Sequence, residues 1–188
     1  PGIELRPGFF MFAIVLAALD RSGSVLPILC AMAVHELAHI VMMLACGGQV
    51  RRLTLRFADF QIAASGLGYR QELLSALAGP LVNLICGAAF CMQRPSFAAY
   101  SLMLGLYNLL PVWPLDGGRM IRCVLLARLP ITQAEHISEI VSFAACAVLL
   151  LIGVFLTFFR KSGLWPLGTA AYLTVRLLML ARRTDTVQ

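Results

Sequence analysis

Val25 to Cys46, VLPILCAMAVHELAHIVMMLAC, is a long apolar run with two histidines and a glutamate at its centre. A membrane crossing takes about 20 predominantly apolar residues. This run has that length and closes at Gly47-Gly48, a pair that stops helices. Ionisable side chains at mid-bilayer cost roughly 2.5–3.5 kcal/mol apiece on insertion scales, so those that persist there mark function. The run decides two things: the chain lives in a lipid bilayer, and its chemistry sits inside it.

The rest of the 188 residues agrees. Sixty per cent are hydrophobic and 13% charged, and the mean hydropathy is +0.86, which excludes an ordinary soluble domain. Apolar runs separated by charges and breakers predict about six crossings: residues 7–19, 25–46, 72–92, 95–110, 137–159 and 164–180. The first, short run lacks a Lys/Arg-rich leader and a cleavage site, so it reads as a crossing rather than a removable signal peptide. A helix over 119–129 lies along the interface. Residues 49–65 alternate around Val50, Leu53, Leu55 and Phe57 and carry Arg51, Arg52 and Arg56, the pattern of one or two short strands. The expected fold is an all-α polytopic membrane protein with a small membrane-associated β element near 49–65. It forms one domain over 1–188, with a catalytic core at about 25–125 and accessory helices at 137–159 and 164–180.

The net charge of +6 comes from basic residues scattered among short loops. No stripe forms, so nucleic acid is not a partner; the arginines carry topological information instead. With the N-terminus cytoplasmic, the inside segments hold Arg6, Arg51, Arg52, Arg56, Arg70, Arg119, Arg122, Arg128, Arg182 and Arg183. The outside loops hold Arg21, Arg94, Arg160 and Lys161. That asymmetry predicts a multi-pass protein of the cell membrane with both termini inside. The six cysteines form no CxxC pair and read as reduced packing residues.

The chemistry is in His35-Glu36-Leu37-Ala38-His39. On a helix, residues four apart differ by about 40° in azimuth and about 6 Å in rise, so both imidazoles leave one face and can share a zinc ion. Glu36 sits beside that face, where it can take a proton from water and pass it to a leaving amine. A pair of buried histidines bonded to neighbouring helices is the bland alternative. A catalytic zinc takes a third protein ligand, and Asp59, Glu72, Asp116, Glu135, His136 and Glu139 are candidates. Asp116 stands out because it lies in the broken segment 111–118, PVWPLDGG. Non-helical backbone at membrane depth is tolerated only where it is buried in protein or lines a cavity. An Asp that simply caps a turn before Gly-Gly is the competing reading. His136, between Glu135 and Ser138, reads as part of a solvated first turn.

The expected topology brings His39, the Asp116 loop and the segment Ala78-Gly79-Pro80-Leu81-Val82-Asn83 into the cytoplasmic half of the bilayer. Together these segments resemble the site-2 protease family of intramembrane metalloproteases. HELAH matches its HExxH segment, Asn108-Leu109-Leu110-Pro111 with Pro114-Leu115-Asp116-Gly117-Gly118 resembles its NxxP…PLDGG segment, and Ala78-Gly79-Pro80 with Asn83 resembles its AGPxxN segment. The resemblance covers about residues 30–125. It implies zinc on His35, His39 and Asp116, Glu36 as general base, and hydrolysis of peptide bonds in or near the transmembrane segments of membrane-tethered substrates. It also implies that Asn83 steadies the substrate strand or the oxyanion, that Asn108 orients the Asp116 loop, and that the 49–65 sheet edge receives an unwound substrate by strand addition. The layout is most similar to the sporulation-type branch without its C-terminal regulatory domain, which points to a sigma-factor precursor or anti-sigma factor as substrate and to a small membrane regulator as partner. A metal transporter and a catalytically silent relative are the rival classes.

Overall fold

The computed structural model describes residues 2–5, 20, 23–56, 59–160 and 163–185. The expected first crossing at 7–19 lies outside them. The chain divides into two compact units, Pro1–Asn108 and Leu109–Gln188. The division falls inside the 25–125 stretch expected to form one catalytic core.

The first unit contains β1 (Gly2–Leu5), α1 (Val25–Ala45), β2 (Gln49–Arg56), β3 (Asp59–Ser65), α2 (Tyr69–Ala89) and α3 (Pro95–Asn108). The strands form one sheet in the order β1-β2-β3. β1 runs parallel to β2, and β2 antiparallel to β3 with an irregularity between Val50 and Arg52. Two end devices fix α1. The Asp20 carboxylate accepts from the backbone N–H groups of Ser24 and Val25, both at 3.0 Å, and so occupies donors that the first turn leaves open. At the other end Gly47 takes φ 79°, and Gly48 N–H donates to the Met43 carbonyl at 2.9 Å. Only glycine takes that left-handed conformation cheaply, and it ends the helix as a Schellman motif.

The three helices of this unit pack on one another through small and polar side chains. The buried stripe of α1 is Ala31, His35, His39 and Met43; that of α2 includes Ser75, Gly79, Asn83 and Gly87; that of α3 is Ala98, Ser101 and Gly105. The outward faces carry the large apolar residues, with Leu26, Leu37, Val41, Leu81 and Ile85 all exposed. A water-soluble helix shows the reverse. In lipid, bulky side chains gain nothing by leaving the tails, and close backbone approach over small residues holds helices together.

The second unit contains α4 (Asp116–Leu126), α5 (Ile131–Phe158) and α6 (Trp165–Asp185). Its stripes follow the same rule: Ala134, Ser138, Ser142, Cys146 and Gly153 are buried on α5, while Leu151 and Phe158 face outward. α5 begins at Ile131 rather than 137, and its 28 residues include Glu135, His136 and Glu139 on an exposed face. Polar residues that read as a first turn are helical, because Pro130 fixes the start ahead of them.

Three helices, α1, α2 and α5, are long and apolar enough to cross a membrane, and residues Pro166–Leu180 of α6 form a shorter apolar helix. α3 has 14 residues, about 21 Å of helix against a hydrocarbon core of about 30 Å. The run predicted as a full crossing therefore falls short as a helix.

Candidate active site

α1 brings His35 and His39 onto one buried stripe, each 4% exposed. Their Nε2 atoms lie 3.1 Å apart, and the rings meet edge to face at 85°. Each Nδ1 is held from α2. His39 Nδ1 donates to the Ser75 carbonyl oxygen at 2.7 Å, and His35 Nδ1 lies 3.3 Å from Asn83 Nδ2. Glu36 follows His35 on the helix and is half-buried.

This donor set fits a metal. Two imidazole nitrogens at 2.0–2.1 Å from one tetrahedral ion are about 3.3 Å apart, close to the observed 3.1 Å. Metal-ligating histidines also characteristically bond a carbonyl or carboxylate through the other ring nitrogen, as His39 does with Ser75.

The AGP triplet has a steric role here. A Cβ added to Gly79 would lie 2.6 Å from His39 Cε1 and 2.9 Å from His35 Cε1, closer than van der Waals contact to both rings. Any larger residue would press on the two imidazoles. Composition and periodicity gave no hint of this, because it depends on α2 crossing α1 at that level.

In the second unit Asp116 opens α4 and is 6% exposed. A carboxylate is favoured at a helix N-terminus, and Arg119 Nη1 contacts its Oδ1 at 3.3 Å. The preceding loop folds back over this first turn. A Cβ on Gly117 would lie 2.6 Å from the Leu109 carbonyl carbon, and one on Gly118 would lie 2.5 Å from Trp113 N. The glycine pair lets backbone pass backbone. Trp113 N–H donates to Ser142 Oγ at 3.0 Å, and that hydroxyl donates to the Ser138 carbonyl at 2.8 Å, which ties the loop to α5. The Trp113–Pro114 peptide is cis. Arg122 lies over the Trp113 ring at 5.6 Å and pairs with Glu135 at 2.9 Å.

His35 and His39 in the first unit and Asp116 in the second are each buried and of metal-ligating type. The other sequence candidates sit elsewhere. Glu135 pairs with Arg122, His136 and Glu139 are exposed, Glu72 is in the first turn of α2, and Asp59 opens β3 opposite Arg56. Asn108 Nδ2 donates back to the Leu104 carbonyl of its own helix at 3.1 Å.

Peptidase family M50 matches residues 92–152. A zinc metalloprotease of Methanocaldococcus jannaschii is 27% identical over 172 residues, covering 81% of this chain and 51% of that protein. Stage IV sporulation protein FB of Bacillus subtilis is 25% identical over 169 residues, covering 83% of this chain and 58% of that protein. The chain is thus similar in sequence to peptidase family M50 and to a zinc metalloprotease. It spans between half and three-fifths of the length of these two relatives. The site-2 protease from Methanocaldococcus jannaschii superposes with a TM-score of 0.66 at 20% identity, over 94% of this chain and 89% of that one. That likeness establishes a site-2 protease fold. The M50 match takes in Asp116 and most of α5 but not the HELAH segment, which stands on its own geometry.

Proposed function

We propose that this chain is a zinc-dependent intramembrane endopeptidase, with His35, His39 and Asp116 as ligands and Glu36 as general base. The observation that carries the reading is the pair of Nε2 atoms 3.1 Å apart on a helix whose outer face is apolar. When bound, zinc supplies the Lewis acidity that polarises the scissile carbonyl and activates water. Glu36 takes a proton from the attacking water and delivers it to the amine nitrogen as the C–N bond breaks, leaving a carboxylate and an amine. The His39–Ser75 bond keeps the His39 ring in its ligating orientation. Gly79 keeps the space between the rings open.

The substrate is a transmembrane or membrane-proximal segment of a membrane-tethered protein, a sigma-factor precursor or anti-sigma factor being the class that the resemblance of the sequence to the sporulation-type branch implies. Cytoplasmic termini, a site in the cytoplasmic half of the bilayer and a small membrane regulator complete the reading. An edge of the three-stranded sheet receives the unwound substrate as an added strand.

The test is cleavage of single-span, membrane-tethered substrates co-reconstituted in proteoliposomes, wild type against Glu36→Gln. The expected result is cleavage by the wild type alone. Cleavage that persists in the variant removes Glu36 as base. Zinc flux across the vesicle without proteolysis replaces the protease with a transporter.

A further inference from the structure

We infer that Asn83 is the positioning residue for His35, its amide oxygen accepting from the His35 Nδ1–H when both imidazoles turn lone pairs to a shared metal. The inference rests on the metalloprotease reading and assigns the one ring partner which that reading leaves open.

The hydrogen bonds around the two rings run in a single direction. Asn83 Nδ2 lies 3.3 Å from His35 Nδ1, the two Nε2 atoms are 3.1 Å apart, and His39 Nδ1 lies 2.7 Å from the Ser75 carbonyl. A carbonyl only accepts, so His39 carries its proton on Nδ1 and offers a lone pair at Nε2. An amide nitrogen only donates, so His35 accepts at Nδ1 and carries its proton on Nε2, pointing at His39.

A metal requires something else of His35. Its Nε2 must give up the proton and present a lone pair, and a neutral imidazole then holds its single N–H at Nδ1. Facing that N–H, the Asn83 amide has to offer oxygen. The side chain holds that atom in reserve: Asn83 is 0% exposed, and its Oδ1 is buried with no hydrogen-bond partner. A buried acceptor left unmade is costly. Rotation by 180° about Cβ–Cγ exchanges the oxygen and nitrogen ends with no change of volume, which matters where Gly105 of α3 would place a Cβ 3.3 Å from Asn83 Cβ. Asn is suited to this position because it presents either end to the same ring nitrogen; a carboxylate could only accept and an aliphatic side chain could do neither.

The experiment measures zinc affinity of the full chain in detergent by chelator competition, for wild type, Asn83→Leu and Asn83→Asp. Leu keeps the approximate volume and loses both functions; Asp keeps the acceptor and loses the donor. Removing such a partner weakens metal binding 10–100-fold, so Asn83→Leu should fall by that factor and Asn83→Asp should stay within a few-fold of wild type. Equal affinity for Leu and wild type, or an Asp variant as weak as Leu, overturns the assignment. Imidazole 15N spectra of the wild type read the same point without any variant. Zinc loading should move the His35 proton from Nε2 to Nδ1, and an unchanged tautomer overturns the exchange. Failure of the wild type to bind zinc at all is a different result, and it would remove the metalloprotease reading together with this one.

Discussion

His39 Nδ1 and the Ser75 carbonyl oxygen stand 2.7 Å apart, both buried. Because the partner is backbone, no side-chain substitution at position 75 removes it, and the tautomer of His39 is set by the path of α2 itself. The Ser75 hydroxyl adds a weaker contact back to the His39 carbonyl at 3.4 Å. One ligand of the proposed metal is thus oriented by the fold, the other by a replaceable amide.

Replacing that hydroxyl should therefore matter little. Ser75→Ala is expected to keep full zinc stoichiometry, whereas His39→Ala should lose it; metal analysis of the purified proteins distinguishes them. A Ser75→Ala protein without zinc would show that the backbone bond alone does not hold the ring.

Glu36→Gln should bind zinc as wild type does while losing cleavage by about 100- to 10,000-fold, the usual contribution of a positioned proton-transfer group. Turnover in proteoliposomes beside metal content checks both halves. Loss of zinc in this variant would move Glu36 from proton transfer to metal binding.

Asp116→Ala should lower zinc content and abolish cleavage, and chelation of the wild type should abolish cleavage reversibly, with recovery on adding zinc. Unchanged zinc content and activity in the variant would take Asp116 out of the ligand set and leave it as the first residue of α4.

At Gly79 a single methyl suffices. Gly79→Ala places a Cβ against both imidazole rings, and overpacking of this kind costs about 1–3 kcal/mol. The expected outcome is a lower unfolding midpoint in detergent together with weakened zinc binding. A variant with wild-type values for both would mean that α2 can back away from α1.

Ser142→Ala removes the acceptor for Trp113 N–H. Losing it should destabilise the loop by about 1 kcal/mol, seen as faster amide exchange at Trp113 by hydrogen–deuterium exchange with α5 unchanged. Equal exchange in both proteins would mean the loop is held by its glycine-mediated packing alone.

Much of this is legible in the amino-acid sequence. Helical spacing alone puts His35 and His39 on one face, and Gly47-Gly48 ends α1 because the left-handed position admits little else. Residues 49–65 alternate visibly. Where reading failed, the cause was tertiary or cooperative. Glu135, His136 and Glu139 suggested a solvated turn, yet a polar helical face has the same composition, and only the Pro130 boundary separates them. α3 was read to its last apolar residue, although the backbone leaves the helix after Asn108. The Ser75 carbonyl carries no residue-specific signal, and the clearance at Gly79 exists only once two helices cross.

The exposed leucines and buried small residues also bear on how this chain can change over time. In a water-soluble enzyme the large apolar positions are the guarded ones. Here Leu26, Leu37, Val41 and Leu151 face outward, where one aliphatic shape does as well as another, while Ala31, Ala98 and Gly105 hold the spacing between helices. A mutational scan should find its least forgiving sites among the smallest side chains, and hydrophobicity will be a poor guide to which substitutions the protein accepts.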